Sequence, residues 1–174
     1  MKKIMIVLLA AALPALCPVH VLGETVEIEA QDAAVIGPGG DSDELRLLVR
    51  FSMPEVLSEG TVDFACMMFE ADCEGEKGLF SSQAFALAKE WSSETVSWGE
   101  GWDKAGGDWD KSLSSYSIGE VGDGRTVEFD VTDFVNGWLA EPSKNFGLIV
   151  KVSGPYLGTF AVKRAKAPRL RILH

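Results

Sequence analysis

The sequence predicts an all-β protein, a β-sandwich of the jelly-roll type with one short helix near the C-terminal third. Short segments in which apolar and polar residues alternate recur along the chain, as in strands buried on one face. Clusters of Gly, Pro, Asp and Ser separate these segments. Apolar residues follow a clear helical spacing after residue 131. Many short strands divided by turns are typical of sandwiches and jelly rolls.

The first 23 residues have the layout of a secretory signal peptide. Two lysines precede the apolar run at 4–13, which is shorter than the roughly 20 residues that cross a bilayer. Val21 and Gly23 place compact residues at the −3 and −1 positions, which predicts cleavage after Gly23. The alternative is lipidation at Cys17, although a leucine stands before it where a small residue is expected. We therefore expect a secreted, extracellular or periplasmic protein, with one domain at 24–174 and no membrane attachment after cleavage.

Charge is distributed unevenly along the chain. The formal net charge is −10, and loss of the two lysines in residues 1–23 makes it −12. All 26 acids lie between Glu24 and Glu141, whereas only basic charges follow. This asymmetry predicts either a surface for an anionic partner or basic strands that neutralise acidic neighbours. Nucleic acid is not expected as a partner of an exported chain with this charge.

Three strands are predicted before residue 52. Residues 25–29 alternate Val and Ile with acids, as an edge strand does, and residues 33–36 form a second short strand. The third, at 45–51, has a strict alternation. Its predicted inward side chains are Leu45, Leu47, Val49 and Phe51, and its outward ones are Arg46, Leu48 and Arg50.

The longest predicted strand, at 61–71, is apolar on both faces. We assign Val62, Phe64, Cys66 and Met68 to one face, and expect the face with Ala65, Met67 and Phe69 to be half covered. An extended strand would hold the Cα atoms of Cys66 and Cys73 roughly 20 Å apart. A disulfide spans only about 4.4–6.8 Å, so a bridge requires a bulge or turn between them.

Two tryptophans bracket the middle of the chain. Strands at 84–91 and 95–98 flank a polar turn and are expected to present Trp91 and Trp98 to one core. A long irregular loop is predicted at 99–115, where Trp102 and Trp109 lie among Gly and Asp.

The C-terminal part combines a helix with four strands. The strand at 125–131 leads to Thr132 and Asp133, a hydroxyl cap and an acid at a helix start. Phe134 and Trp138 are spaced to bury one helix face, and Pro142 ends the helix. Three strands follow at 147–152, 159–164 and 169–173, the last with Arg169 and Arg171 outward.

The order of these motifs resembles a known family. LLVRF at 47–51 is followed by WSSETVSW at 91–98, FDVTDFVNGWL at 129–139, NFGLIV at 145–150 and a last strand after Pro168. This series is similar to the DNRLRE-domain family, which overlaps carbohydrate-binding module family 96, over roughly residues 29–173. The resemblance implies an exported jelly-roll sandwich, and some members bind acidic polysaccharide such as alginate. The chain departs from the pattern in the loops at 34–43 and 99–115, and loops carry ligand specificity.

The residue inventory favours a non-catalytic protein. After residue 23 the only histidine is the C-terminal His174, so neither a Ser-His nor a Cys-His pair is expected. Carboxylates are numerous enough that a two-acid glycosidase stays an alternative. The leading hypothesis is a secreted module that binds polysaccharide, with acidic glycans favoured. The alternative is a structural or adhesion domain of the cell envelope or extracellular matrix that packs against another exported protein.

Two groups of side chains are candidate ligand contacts. Exposed indoles of Trp102 and Trp109 would offer flat faces for a sugar ring, unless they fold back to seal the loop. The second group holds outward basic residues, which form one stripe if their strands are neighbours and would suit uronic-acid polymers. Its members are Arg46, Arg50, Lys151, Lys163, Arg169 and Arg171. Alternatively, acids such as Glu128 and Asp130 interleave with them.

One group of carboxylates is a candidate metal site. Asp103, Asp108 and Asp110 offer oxygen ligands for calcium, although their spacing matches no defined calcium loop. No other cofactor is expected.

Overall fold

The computed structural model of the protein contains two antiparallel sheets. It describes residues 23–38, 44–57, 60–73, 78–121, 125–153, 160–162 and 167–174. Sheet A contains β1 (Thr25–Glu29), β4 (Phe64–Cys73), β7 (Arg125–Asp130), β9 (Phe160–Val162) and β10 (Arg169–Leu173). Sheet B contains β2 (Asp32–Ile36), β3 (Arg46–Arg50), β5 (Gly78–Leu87), β6 (Trp109–Val121) and β8 (Leu148–Ser153). The predicted all-β sandwich is confirmed. Residues 1–22 of the predicted signal peptide and Lys163 lie outside the described ranges.

Strand pairing is nested along the chain. β5 pairs with β6, β4 with β7, β3 with β8 and β1 with β10. Successive pairs lie alternately in sheet B and sheet A, so the chain forms one long hairpin rolled into two sheets, which is a jelly roll. β2 extends sheet B beside β3, and β9 pairs with β4 in sheet A.

The inner core lies between the two sheets. Its centre is built from Phe129, Met67 and Leu47, which are at most 2% exposed. Phe129 stacks on Phe69 with ring centres 6.2 Å apart. Alternation predicts inward side chains in β3, β7, β8 and β10, and the structure confirms this face for all four strands. Leu45 is partly buried against their core members. These core members are Leu47, Val49, Phe51, Val127, Phe129, Val131, Leu148, Val150, Val152, Leu170 and Ile172.

The predicted helix is present as α1 (Thr132–Ala140), with Phe134, Val135 and Trp138 buried. The predicted cap by Thr132 is wrong, because its hydroxyl donates to Asp130 and accepts the backbone N–H of Ala65 instead. These bonds attach the helix start to β4. Pro142 begins a short 3₁₀ turn after the helix ends, as predicted. Within the described residues, no helix is long and apolar enough to cross a membrane.

The predicted facing of β4 is wrong. Ala65, Met67 and Phe69 point into the inner core, whereas Phe64 is 43% exposed. Both faces of this strand are apolar, so local alternation does not distinguish them, and pairing of Met67 with Phe129 decides the orientation. Cys66 and Cys73 lie in this one continuous strand, and Cys66 is a free thiol.

The long loop predicted at 99–115 is partly a strand, because β6 begins at Trp109. In β6 the usual alternation of apolar inward and polar outward side chains is reversed. Serines 115 and 117 lie on the inner face, and Tyr116 and Ile118 point to solvent with exposures of 59% and 69%. A serine-rich inner face lacks the apolar alternation from which strands are predicted.

Trp91 and Trp98 lie outside strands, so the strand predicted at 95–98 is wrong. The backbone N–H groups of Thr95 and Val96 donate to the carbonyl of Ser92, and the Ser92 hydroxyl accepts from Glu94 N. These local bonds favour a turn over extended backbone. Of the three tryptophans assigned to the core, only Trp138 lies between the sheets.

Candidate functional site

A second hydrophobic cluster, the outer core, lies on the outer face of sheet B. Its base is a row of side chains on adjacent strands, Leu48, Ile149 and Phe85, which are paired in register. Residues 88–108, here called the covering segment, lie over this base and bring Trp91, Val96, Trp98 and Trp102 into contact with it. The two indoles predicted to share one core therefore share the outer core, not the space between the sheets.

Indole hydrogen bonds fix the covering segment internally and to the sandwich. Trp91 is buried, and its Nε1–H donates to the carbonyl of Phe146 at 2.8 Å. The Nε1–H of Trp102 donates to the carbonyl of Ser97 at 3.0 Å. Each indole keeps its polar atom satisfied while its ring contributes apolar area, which is how buried tryptophans are normally accommodated. Trp102 therefore seals the segment, which is the alternative reading of this residue.

Arg46 points outward from β3 as predicted, but it is only 6% exposed. Its guanidinium lies 4.3 Å from the ring centre of Trp98 and 4.9 Å from that of Trp109. One terminal nitrogen donates to the carbonyl of Gly106 at 2.5 Å, and the other forms an ion pair with Glu44. A buried charge requires this degree of pairing. Arg46 is consequently a buried anchor and offers no free surface to a ligand.

Glycine allows the covering segment to approach Arg46 closely. Gly106 has a φ of +85°, and an added Cβ would lie 2.3 Å from the Arg46 Nη1 atom. Its backbone N–H donates to the carbonyl of Trp98 at 2.6 Å. Any side chain here would both strain the backbone and displace the guanidinium.

Arg50, another predicted ligand contact, is also engaged within the protein. Its guanidinium lies 5.7 Å from the ring centre of Trp91 and 3.6 Å from Asp32 on the neighbouring strand. The Asp32 carboxylate in turn accepts the backbone N–H of Ser93. Arg50 thus helps to hold the start of the covering segment against β2.

No residue that the structure describes covers one part of the outer face of sheet B, here called the open strip, where Tyr116 and Ile118 are exposed. Its centre is a row across three strands, in which Lys151 pairs with Gln83 and Gln83 pairs with Tyr116. The outer Cα atoms of this row are roughly 10 Å apart, two strand spacings. Ser114 and Ile118 flank Tyr116 on the same face. The strip therefore joins an exposed aromatic ring, an amide and an ammonium group on a flat surface.

Trp109 connects the open strip to a neighbouring cleft. The Lys151 ammonium lies 5.2 Å from its ring centre. On the other side Trp109 lines an open cleft of about 480 Å³ together with Lys89, Lys104 and Lys111. Lys89 pairs with Asp103 at 2.8 Å, whereas Lys104 and Lys111 form no side-chain ion pair with any part of the chain that the structure describes. Asp103 and Asp108 also line the cleft, so Trp109 adjoins two lysines without an ion-pair partner among the described residues and two carboxylates, of which Asp103 is paired with Lys89.

The three carboxylates predicted to hold calcium have separate partners. Asp108 accepts the backbone N–H groups of Asp103 and Lys104, and Asp103 pairs with Lys89. Asp110 accepts the N–H of Ser112, which lowers the pKa of its carboxyl group. Across the described ranges, no cluster of three or more His, Cys, Asp or Glu side chains is placed to hold a metal ion.

Arg169 and Arg171 lie on the outer face of sheet A, on the opposite side of the sandwich from Arg46 and Arg50. The prediction that all these basic residues form one stripe is therefore wrong, because β3 belongs to sheet B and β10 to sheet A. Arg171 donates two hydrogen bonds to Glu27 at 2.7 and 2.9 Å. Glu128 and Asp130 lie two strands away on the same face, beyond Cys66 and Met68 of β4, so the acid that pairs with these arginines is Glu27.

The Glu27–Arg171 pair predicts a specific pH response. The hydrogen bond and charge of Arg171 lower the pKa of Glu27 in the folded protein. The pair therefore stabilises the fold above the usual carboxyl pKa, and this contribution is lost as the pH falls through the folded pKa. We expect Arg171→Gln to raise the midpoint of Glu27 in a carbon-13 NMR titration, whereas Lys144→Gln leaves it unchanged. An unaltered Glu27 midpoint in Arg171→Gln would show that the pair is absent in solution.

Sequence reasoning missed most of the open strip. The sequence assigns neither Gln83 nor Tyr116 to a strand. The strand predicted at 84–91 starts six residues after β5 begins and ends four residues after β5 ends, and the loop predicted at 99–115 hides the first part of β6. Lys104 and Lys111 were visible only as charges in that loop. The usable signal was the spacing of Tyr116 and Ile118, two apolar residues separated by one serine.

No protein-family model and no curated protein matches the chain.

Proposed function

We propose that the protein is an exported, non-catalytic module that binds an acidic polysaccharide at the open strip and the cleft beside Trp109. We also propose that it belongs with the DNRLRE-domain proteins, on the motifs at 47–51, 91–98 and 129–139. The jelly-roll strand order supports this assignment, since it is the fold that the resemblance implies.

The observation that supports the ligand class best is the row of Lys151, Gln83 and Tyr116 next to Trp109. Tyr116 is 59% exposed and offers a ring face on which a sugar can stack. Lys151 has no carboxylate partner among the described residues and supplies a cation for a uronate. Gln83 lies between them with both donor and acceptor groups. In a chain with a net charge of −10, unpaired lysines gathered around one tryptophan favour a local anionic ligand.

A direct test compares variants in affinity gels that contain alginate, polygalacturonate or a neutral glucan. Lys151→Ala and Tyr116→Ala should each weaken retardation by an acidic polymer about tenfold, equivalent to about 1.4 kcal/mol. Wild-type retardation should also weaken as salt rises, because exposed charges are screened. Matched controls are Lys144→Ala and Phe64→Ala, an exposed lysine and a half-exposed phenylalanine away from the strip. Their retardation should equal that of the wild type.

The second candidate function is a structural or adhesion domain. It is favoured by the 69% exposure of Ile118 beside Tyr116 on β6, a 13-residue strand at the edge of sheet B. Branched aliphatic groups suit a protein partner better than a sugar. Absence of retardation on all three polymers would favour this candidate. Equal retardation of Lys151→Ala and wild type on the acidic gels would show that the open strip is not the binding site.

A further inference from the structure

Among the residues whose side-chain burial is described, Arg46 is the one charged residue that is buried. Its backbone lies in β3, directly opposite Lys151 in the pairing register. Its guanidinium contacts Trp109, which lines the cleft, and also Trp98 and Gly106, which belong to the covering segment. Arg46 is therefore the point at which the covering segment, the cleft and the open strip meet.

We propose that Arg46 is the positioning residue of this surface, which holds residues 98–106 and the Trp109 indole in the orientation that the ligand meets. The ligand part of this inference rests on the proposed function, whereas the effect on the covering segment does not. Arg46 itself does not touch the ligand, because its side chain is closed over by Trp98 and Gly106.

The chemistry of arginine fits this role better than that of any substitute. A planar guanidinium can lie against two indole rings and still direct its terminal nitrogens in the ring plane to a carbonyl and a carboxylate. Lysine keeps the charge but has one compact head group, which cannot reach Gly106 and Glu44 while contacting both rings. Methionine keeps the length and apolar stem but loses the charge and every hydrogen bond.

The inner core should be independent of these contacts. Leu47 and Val49, the neighbours of Leu48 along β3, point to the opposite side of sheet B and pack between the sheets. Loss of Arg46 contacts should therefore loosen the covering segment locally, as regions with few buried contacts open below the global unfolding energy. The sandwich should still unfold cooperatively.

The five tryptophans provide the readout, because each gives one indole N–H signal in a nitrogen-15 correlation spectrum. In Arg46→Met and Arg46→Lys the signals of Trp98 and Trp109 should move, while that of Trp138 in the inner core stays in place. Hydrogen exchange of the Gly106 amide, which donates to Trp98, should accelerate at least tenfold. Binding to the acidic polymer should weaken about tenfold in Arg46→Met, and less in Arg46→Lys. Arg171→Met is the matched control on sheet A and should behave as wild type in the indole signals, in the exchange of the Gly106 amide and in polymer binding.

Gly106→Ala tests the same contact from the covering segment without any change in β3. It should reproduce the shifts of Trp98 and Trp109 and the loss of binding, because the added Cβ displaces the guanidinium. Unchanged indole signals and exchange in Arg46→Met, or loss of cooperative unfolding in both Arg46→Met and Gly106→Ala, would overturn the positioning role. Faster exchange with undiminished binding would overturn its ligand part alone. A wild-type protein that binds no polymer would refute the proposed function, and the exchange data would still decide whether Arg46 holds the segment.

Discussion

Phe129→Ala is expected to lower the free energy of unfolding by about 3–5 kcal/mol, the usual cost of truncating a buried aromatic residue. Phe129 is 1% exposed at the centre of the inner core. It stacks on Phe69 and pairs across the sheet with Met67, so both neighbours would border the resulting cavity. The loss is a large part of the stability of an ordinary domain, which is about 5–15 kcal/mol.

Urea denaturation followed by far-ultraviolet circular dichroism measures this loss. Tyr116→Ala is the control, since it removes a ring of similar size that is 59% exposed on the open strip. Its effect should stay within about 0.5 kcal/mol, as is usual for surface substitutions. A loss below about 1 kcal/mol for Phe129→Ala would mean that the two sheets do not pack through this residue.

The second large effect is expected for Gly147→Ala, which should cost about 3 kcal/mol or more. Gly147 has a φ of +90°, a conformation that side chains with a Cβ rarely adopt. An added Cβ would lie 2.2 Å from the carbonyl oxygen of Val49 and 3.0 Å from the Cα of Arg50. Both are backbone atoms at the end of β3, so β8 would have to separate from β3 to relieve the contact.

Gly101→Ala separates the two parts of that cost. Gly101 also has a φ of +90°, but an added Cβ would meet nothing within 4 Å. Its substitution should therefore cost only the backbone strain, about 1–2 kcal/mol. Thermal or urea denaturation of both variants should show the larger loss for Gly147→Ala. Equal losses would indicate that Gly147 is not in close contact with β3.

The candidate site was predicted only in part. Lys151 and Trp109 were identified from the sequence, one as an outward cation and the other as a loop tryptophan, and the structure brings them within 5.2 Å of each other. Arg46 was also identified as outward, but its burial depends on a segment more than 40 residues away in sequence that folds over it. A strand pattern gives the direction of a side chain relative to its own sheet and contains no information on what covers that sheet.

Arg171 illustrates a second limit of sequence reasoning. Its outward direction in β10 followed from the alternation with Leu170 and Ile172, and it is correct. Its partner Glu27 is 144 residues distant in sequence and meets it only because β1 pairs with β10. Whether a surface cation is free or neutralised is thus a property of strand order, which a jelly roll sets through long-range pairing.

The sequence by itself determined the local features of this protein. Strict alternation in β3, β7 and β10 fixed their buried faces, and the i, i+4 spacing of Phe134 and Trp138 fixed the helix, because these periods are set by the backbone geometry of each element. Tertiary structure decided the features that these local periods leave undetermined. Pairing with β7 and β10 selected the inward face of the doubly apolar β4, and packing of residues 88–108 on sheet B converted Arg46 from a surface cation into a buried anchor. Both outcomes depend on contacts between segments far apart in the chain, whose free energy is gained only when the whole sandwich forms.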